Sequence, residues 1–325
     1  MCYKTEKHQQ LRINLEGLTK DYPLFIKGFF AEQKSARSSY NYFGCINNML
    51  TWLIENNIVD KKSISEITAE DLNGVLPSHA TLYFSQLQTN GNELDTIGTK
   101  INYCSSFWTY LKCNKYVIEN IISLINKSRF KSEKTTHDVK IPSEEELSEF
   151  LINIQSGNSK GYDCIRNLTI VKLLLGSGIR SEELIGLDVQ DLYLNNDAYI
   201  MIMGKGRTEQ QEKVMITPEA KKQLKKYLLV RSEFAEEKEI DTNALFLSNR
   251  RQRISKGALD NIFLINSNKK ITPHMLRHYV GTMIYRNTRD IVLVQNQLRH
   301  SSLETAAKYY VQADEKKLRE VLNTL

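Results

Sequence analysis

The stretch that decides the fold is ITPHMLRHYVGTMIYRN, residues 271–287. Thr272 is a good helix N-cap and Pro273 a good first helical residue, so a helix is expected to begin here. His274 and Arg277 then fall in its first turn, three residues apart and on one face. The backbone dipole at a helix N-terminus also attracts anions. The sequence therefore predicts a cationic helix start that can receive an anion.

A second informative stretch, VQNQLRHSSLETAAKYYVQAD, occupies residues 294–314. We expect one helix to close at His300 and a last helix to open at Ser301, an N-cap residue. Apolar residues of this last helix recur at i, i+3, i+4 and i+7, which predicts one buried stripe: Leu303, Ala306, Ala307 and Tyr310. Tyr309 lies about 100° around the helix from Tyr310. Helix phase therefore predicts Tyr309 as the accessible phenol.

Two further cations lie upstream of these helices. Arg180 stands at the start of a predicted helix, just after Gly176-Ser177-Gly178, and Lys205 lies between two glycines at the turn of a predicted hairpin. Each residue alone is typical of an ordinary surface side chain. Taken with the two histidines, Arg277 and the tyrosine, they make a set that can hold a phosphodiester and attack it without a metal. The ATP-binding motif G-x-x-x-x-G-K-[ST] does not occur.

Composition narrows the class of protein only moderately. The chain has 325 residues, enough for two domains, with 41% hydrophobic and 25% charged residues. The net charge of +6 and pI of about 8.8 lean mildly toward an anionic partner. Five scattered cysteines without a C-x-x-C pair predict neither a disulfide framework nor a zinc site. A cytoplasmic protein is expected, because neither a signal peptide nor a run of 18 apolar residues is found.

The pattern along the chain predicts two domains. Helical apolar stripes fill the first 130 residues: Leu24, Phe25, Phe29 and Phe30, then Tyr42, Cys45, Ile46, Met49, Leu50 and Leu53, then Ile101, Cys104, Phe107, Trp108 and Leu111. A polar linker is predicted at 132–142, between a helical domain at 1–131 and a second domain at 143–325.

The second domain mixes helices with strands. A capping box at Ser143 and Glu146 predicts its first helix. Further predictions are a helix over 163–175, another from Ser181 through Leu187, a hairpin within 198–216, a helix from Pro218 and a short strand at 245–247. From Thr272 onward the chain should be helical. The expected fold class is mainly α, with a C-terminal α+β domain that carries a small antiparallel hairpin.

Four segments resemble the tyrosine recombinase (phage integrase) family, in its Xer- and Cre-like two-domain branch. They are LLLGSGIRSEELIGL (173–187), IMGKGRTEQQEKVMIT (202–217), ITPHMLRHYVGTMIYRN (271–287) and VQNQLRHSSLETAAKYYVQAD (294–314), in the family's order and spacing. The N-terminal half, above all residues 35–57, resembles the family's helical (SAM-like) core-binding domain. Each segment alone would be weak evidence for the family, but four in the family's order and spacing are strong evidence.

The resemblance implies a catalytic set: Arg180, Lys205, His274, Arg277, His300 and Tyr309, supported by Glu183. It implies that Arg180 and Arg277 clamp the oxygens of the scissile phosphate and that Lys205 protonates the leaving 5′-hydroxyl. Tyr309 is implied as the nucleophile.

The remaining implied roles are assisting ones. His274 matches a histidine that assists proton transfer, His300 a position that hydrogen-bonds the phosphate, and Glu183 an acid that holds site side chains. The chain departs from the family at Arg299, where glycine is usual, and at Tyr310, where threonine is frequent. Arg299 is expected either to touch DNA or to widen the turn.

The resemblance also implies partners. These are double-stranded DNA with specific recombination sites and three further copies of the chain, joined through a C-terminal helix with an apolar stripe at Leu318, Val321, Leu322 and Leu325. Accessory DNA-bending or directionality proteins are compatible with it, and no cofactor, metal or membrane partner is expected. The H-x-x-x-H pair His274 and His278 lacks the adjacent glutamate and third ligand of a zinc site.

Three functions stay open on the sequence. The first is a site-specific recombinase that works through a phosphotyrosyl intermediate and a Holliday junction, in integration, excision or resolution of a mobile element, plasmid or chromosome. The second is a catalytically silent DNA-binding regulator on the same scaffold. The third is a sequence-independent topoisomerase that uses the same tyrosine chemistry.

Overall fold

The computed structural model describes residues 3–131, 140–157, 161–203, 211–237, 242–250, 252–299 and 322–323. The chain forms two compact units, Met1–Thr136 and His137–Leu325. The predicted linker at 132–142 lies outside the described residues except for its last three positions.

The N-terminal unit is built from helices, which begin where the local sequence supplies caps. Its α-helices are α1 (Tyr3–Leu18), α2 (Leu24–Ala31), α3 (Ala36–Glu55), α4 (Ala69–Asn73), α5 (Pro77–Thr89) and α6 (Leu94–Cys113). Helix α3 begins after Ser35, whose Oγ accepts a hydrogen bond from the backbone N–H of Ser38 at 3.1 Å. Short 3-10 turns lie at Ile64–Glu66, Ile121–Ser123 and Lys127–Phe130.

The core of this unit follows most of the predicted stripes. The stripe residues of α6 are all buried, as are those of α3 from Cys45 onward. Leu24, the first residue of the first stripe, is 83% exposed at the start of α2, so the buried part of that stripe does not include it. A first-turn residue has no preceding turn to pack with, so spacing alone does not decide its burial.

The C-terminal unit is mixed. Its elements in chain order are α7 (Glu144–Ser156), α8 (Tyr162–Ser177), α9 (Ser181–Ile185), β1 (Leu192–Tyr193), β2 (Tyr199–Met203), β3 (Gln211–Met215), α10 (Pro218–Glu237), α11 (Lys256–Asn266), α12 (Pro273–Thr288) and α13 (Ile291–Leu298). A 3-10 turn at Val189–Asp191 precedes β1. Helix α8 packs against α7, α10 and α12, and α12 packs against α13.

The predicted hairpin is confirmed within a three-stranded antiparallel sheet of order β1-β2-β3. In its register Tyr199 pairs with Met215 and Met203 with Gln211. The predicted strand at 245–247 is wrong. Leu247 forms only an isolated bridge with Arg253 in the described part of the chain, so these buried residues do not build a ladder.

Local capping signals locate the helix starts correctly. Ser143 Oγ accepts from Glu146 N–H at 3.2 Å while Glu146 accepts from the backbone N–H of Ser143, so the capping box is confirmed. Thr272 Oγ1 accepts from Met275 N–H at 3.3 Å and starts α12. Helix α9 is shorter than predicted, since it ends at Ile185 and Leu187 lies beyond it.

These elements confirm the expected fold class, a mainly α chain with a small antiparallel sheet in its C-terminal unit. Across the described ranges, no helix combines the length and the apolar character that crossing a bilayer requires.

Candidate active site

Arg180 reaches the site because the chain turns sharply between α8 and α9. Helix α8 closes at Gly178 in the left-handed conformation, with φ 68°, and Arg180 is the extended residue before α9. Its backbone N–H donates to Glu183 Oε2 at 2.7 Å, and its Nη1 donates to Glu183 Oε1 at 2.9 Å. The Arg180 side chain is 33% exposed. Glu183 therefore holds it in place while part of the side chain remains accessible.

Glu183 is the buried anion that organises this surface. Its side chain is only 4% exposed, and it pairs with Arg180 and with Arg299, whose Nη2 donates to Oε2 at 2.6 Å. Burial acts to raise the pKa of the carboxyl, but the charges of Arg299 and Arg180 and their hydrogen bonds outweigh it. The pKa of Glu183 is therefore below its ordinary value, and the carboxylate is charged at neutral pH.

Arg277 lies at the inner side of the same surface. It comes from the first turns of α12 and is almost fully buried, at 3% exposure. Its Nη1 donates to the carbonyl of Gly178 at 2.6 Å, and its Nη2 donates to the carbonyl of Leu298. Arg277 thereby joins the C-terminal ends of α8 and α13, where helix dipoles favour a cation. At this helix start the structure therefore leaves His274 exposed and buries Arg277.

His274 stands at the accessible end of α12 and contacts a second histidine. Its Nε2 lies 2.9 Å from Nε2 of His278, and the rings meet edge-on with centroids 4.4 Å apart. Partial burial of the ring, then the charges of Arg277 and Arg180, lower the pKa of His274 below the ordinary histidine value. The imidazole is therefore neutral at pH 7 and able to accept a proton.

The sequence presents His278 only as a metal-ligand candidate, so its contact with His274 was missed. The i, i+4 spacing on a helix was the available signal. In the described part of the chain, no group of three or more His, Cys, Asp or Glu side chains is arranged to hold a metal ion.

Arg299, for which a contact with DNA or a widened turn is expected, pairs with two carboxylates of this unit. The Arg299 side chain is 10% exposed and folds back onto the site, toward Glu183 and toward Glu212 of β3 at 3.4 Å. Gln297, two residues earlier, donates from Nε2 to the carbonyls of Ser177 and Met215, at 2.9 Å each. No local sequence signal marks these long-range partners.

Three of the predicted catalytic positions, Lys205, His300 and Tyr309, lie outside the described residues, as does almost all of the predicted C-terminal helix. The four described positions, Arg180, Glu183, His274 and Arg277, come together from α9 and α12. With Arg299 they define a class of site: three arginines and a histidine gathered around the buried carboxylate of Glu183 on an α+β unit, an arrangement suited to an anion.

Comparison with known proteins agrees with this class. Residues 143–317 match the phage integrase family. The tyrosine recombinase XerC of Thermodesulfovibrio yellowstonii is 31% identical over 246 residues, covering 74% of this chain and 78% of that protein. The tyrosine recombinase XerS of Lactococcus lactis subsp. cremoris is 25% identical over 344 residues, covering 93% of this chain and 96% of that protein.

Solved structures show the same fold. The XerH site-specific recombinase bound to palindromic difH substrate, in a post-cleavage complex, superposes with a TM-score of 0.60 at 23% identity, over 80% of this chain and 73% of that one. A lambda integrase dimer bound to a COC′ core site superposes with a TM-score of 0.57 at 14% identity, over 84% and 88%. The chain belongs to the phage integrase family and is a tyrosine recombinase, an enzyme that cleaves and rejoins DNA in site-specific recombination.

Proposed function

We propose that the protein cleaves DNA through a covalent link between Tyr309 and a 3′-phosphate, and rejoins it to a different strand. The observation that carries this proposal is that Arg180 and His274 meet on one surface, with the buried Arg277 on its inner side and Glu183 holding Arg180. Such a surface stabilises the negative charge that develops on a phosphodiester under attack.

The proposed step is a transesterification. The phenol oxygen of Tyr309 forms a bond to phosphorus while the bond from phosphorus to the 5′-oxygen breaks. The phenol proton passes to His274, whose lowered pKa leaves its imidazole neutral and ready to accept it. Lys205 protonates the departing 5′-oxygen, and His300 donates a hydrogen bond to the phosphate. Because the ester to tyrosine retains the bond energy, a 5′-hydroxyl of a partner strand can reverse the step without ATP or metal.

Two rounds of this exchange would recombine duplexes through a Holliday junction. We propose four protomers on two DNA sites, joined through the C-terminal helix at 315–325, whose apolar residues recur at one-face spacing. So short a helix is marginal alone, which favours docking on a neighbouring copy. The protein would act on DNA in the cytoplasm of a bacterial or archaeal cell, with accessory DNA-bending or directionality proteins as further partners.

The test uses a pool of DNA sequences instead of one chosen site. Full-length protein is incubated with a library of nicked duplexes of random sequence, in which a short strand diffuses away after cleavage and traps the adduct. Covalent complexes that survive detergent are recovered and sequenced. We expect adducts with the wild type and with Tyr310→Phe, its matched control, and none with Tyr309→Phe.

The outcomes separate the competing functions. Sequence-selective binding without any adduct would support a silent regulator and refute the proposal. Adducts with no shared sequence, together with relaxation of any supercoiled plasmid, would identify a topoisomerase. An adduct that survives in Tyr309→Phe but is lost in Tyr310→Phe would refute the choice of nucleophile.

The assembly is tested separately on the recovered duplex. Deleting residues 315–325 should leave single-site binding intact but abolish the complex of two duplexes and four protomers, measured by light scattering after size exclusion. Retained recombination by the truncated protein would contradict docking through this helix.

A further inference from the structure

Arg299 occupies a backbone position that favours glycine. It caps the C-terminus of α13 with φ 54° and ψ 51°, in the left-handed region. A residue with a side chain costs about 1–2 kcal/mol there relative to the right-handed conformation. Arg289 closes α12 in the same way, with φ 56° and ψ 17°, but is exposed to solvent. The two arginines therefore share a backbone state and differ in where their side chains lie.

The Arg299 side chain lies in the interior of the site, where it contacts Gln297, Glu183 and Glu212. Its Nη1 donates to the carbonyl of Gln297 at 3.0 Å, its Nη2 donates to Glu183 at 2.6 Å, and its Nε lies 3.4 Å from Glu212 Oε2. Glu212 belongs to β3, the strand that pairs with β2. Arg299 thus ties the end of α13 to both the arginine site and the hairpin.

Glu183 is shared between two guanidinium groups. Its Oε1 accepts from Arg180 Nη1, and its Oε2 accepts from both the Arg180 backbone and Arg299 Nη2. Arg180 Nη2 in turn donates to the carbonyl of Arg299 at 3.4 Å. Arg299 also pairs with Glu212, so the charges of these two arginines and two glutamates balance. What Arg299 supplies is a second cationic partner that fixes the Glu183 carboxylate on which the Arg180 guanidinium rests.

We propose that Arg299 is a positioning residue for Arg180. By sharing Glu183, it fixes that carboxylate and thereby holds the Arg180 guanidinium in the orientation in which it faces a phosphodiester. This inference rests on the proposed function, since the ligand of Arg180 is the scissile phosphate. Arg299 itself, with its guanidinium buried, touches neither DNA nor the reacting atoms.

The experiment measures single-turnover cleavage of the nicked duplex recovered from the random library, alongside the equilibrium affinity of each variant for the intact duplex. Arg299→Gly should fold, because glycine is favoured at φ 54°. We expect its cleavage rate to fall at least tenfold while its DNA affinity stays within about threefold of wild type. Arg299→Lys, which keeps the charge, should retain at least a third of the wild-type rate.

Two controls isolate the role of the side chain. Arg289→Gly makes the same backbone change at a matched helix end and should cleave at the wild-type rate. In a Glu183→Gln background, Arg299→Gly should cause little further loss, because its effect passes through that carboxylate.

The proposed function and this inference fail in different ways. If the wild type forms no adduct, the proposed function fails. If the wild type cleaves and Arg299→Gly cleaves within twofold of it, or Arg299→Lys is as slow as Arg299→Gly, only the positioning role is overturned. The positioning role would also be overturned if Arg299→Gly lowered the cleavage rate by the same factor in the wild-type background and in the Glu183→Gln background.

Discussion

Replacing Gly178 by alanine probes the junction on which the site depends. Gly178 ends α8 with φ +68°, and its carbonyl accepts the hydrogen bond from Arg277 Nη1 at 2.6 Å. A Cβ atom added there would lie 2.5 Å from Leu298 Cδ2 and 3.2 Å from Val280 Cγ1. The substitution therefore pushes against α12 and α13 together, at the place where Arg277 joins α8 to α13.

The expected loss of stability has two parts. Holding alanine in the left-handed region costs about 1–2 kcal/mol. Forcing a methyl group against packed side chains costs about 1–3 kcal/mol more. The sum, about 2–5 kcal/mol, corresponds to a fall of roughly 5–15 °C in the unfolding temperature of a domain of this size.

Differential scanning calorimetry of the full-length variant measures this loss. The control is Gly257→Ala in α11, where an added Cβ meets no atom within 4 Å. This change should leave the unfolding temperature unchanged or raise it slightly, since alanine is favoured over glycine in a helix by about 0.5–1 kcal/mol. If Gly178→Ala unfolds within about 1–2 °C of the wild type, equivalent to about 0.5 kcal/mol, the close approach of α13 to this turn is wrong.

Two further predictions concern single side chains. Ser143→Ala removes the cap of α7 and should lower the free energy of unfolding by about 1 kcal/mol in denaturant titration, whereas Ser148→Ala on the exposed face of the same helix should not lower it. His274 should titrate below the ordinary histidine value by NMR. As the pH drops through that ordinary value, the unfolded chain binds a proton more readily than the native one, so the free energy of unfolding falls. His274→Gln should make the free energy of unfolding less dependent on pH in this range. A His274 titration at the ordinary histidine value would contradict the prediction.

Local sequence predicted the elements of the site well, because helix starts depend on side chains within one turn. The Thr272-Pro273 pair located α12, and the capping box at Ser143 located α7. Two β-rich runs around a polar turn predicted β2 and β3, and the four family segments placed Arg180 and His274 at helix starts. Prediction was weaker where pairing is non-local: the expected strand at 245–247 contributes an isolated bridge at Leu247 in place of a ladder.

What the sequence by itself determined is therefore the family, the order of the helices and strands, and the residue types that meet at the site. Tertiary structure alone decided where two arginines point. Arg277 donates to a carbonyl 99 residues away and Arg299 to a carboxylate 116 residues away, and no local pattern records contacts at such separations. Arg299 folds inward because a buried carboxylate needs cationic partners, and Glu183, on α9 next to Arg180, lies within reach of the residue that ends α13.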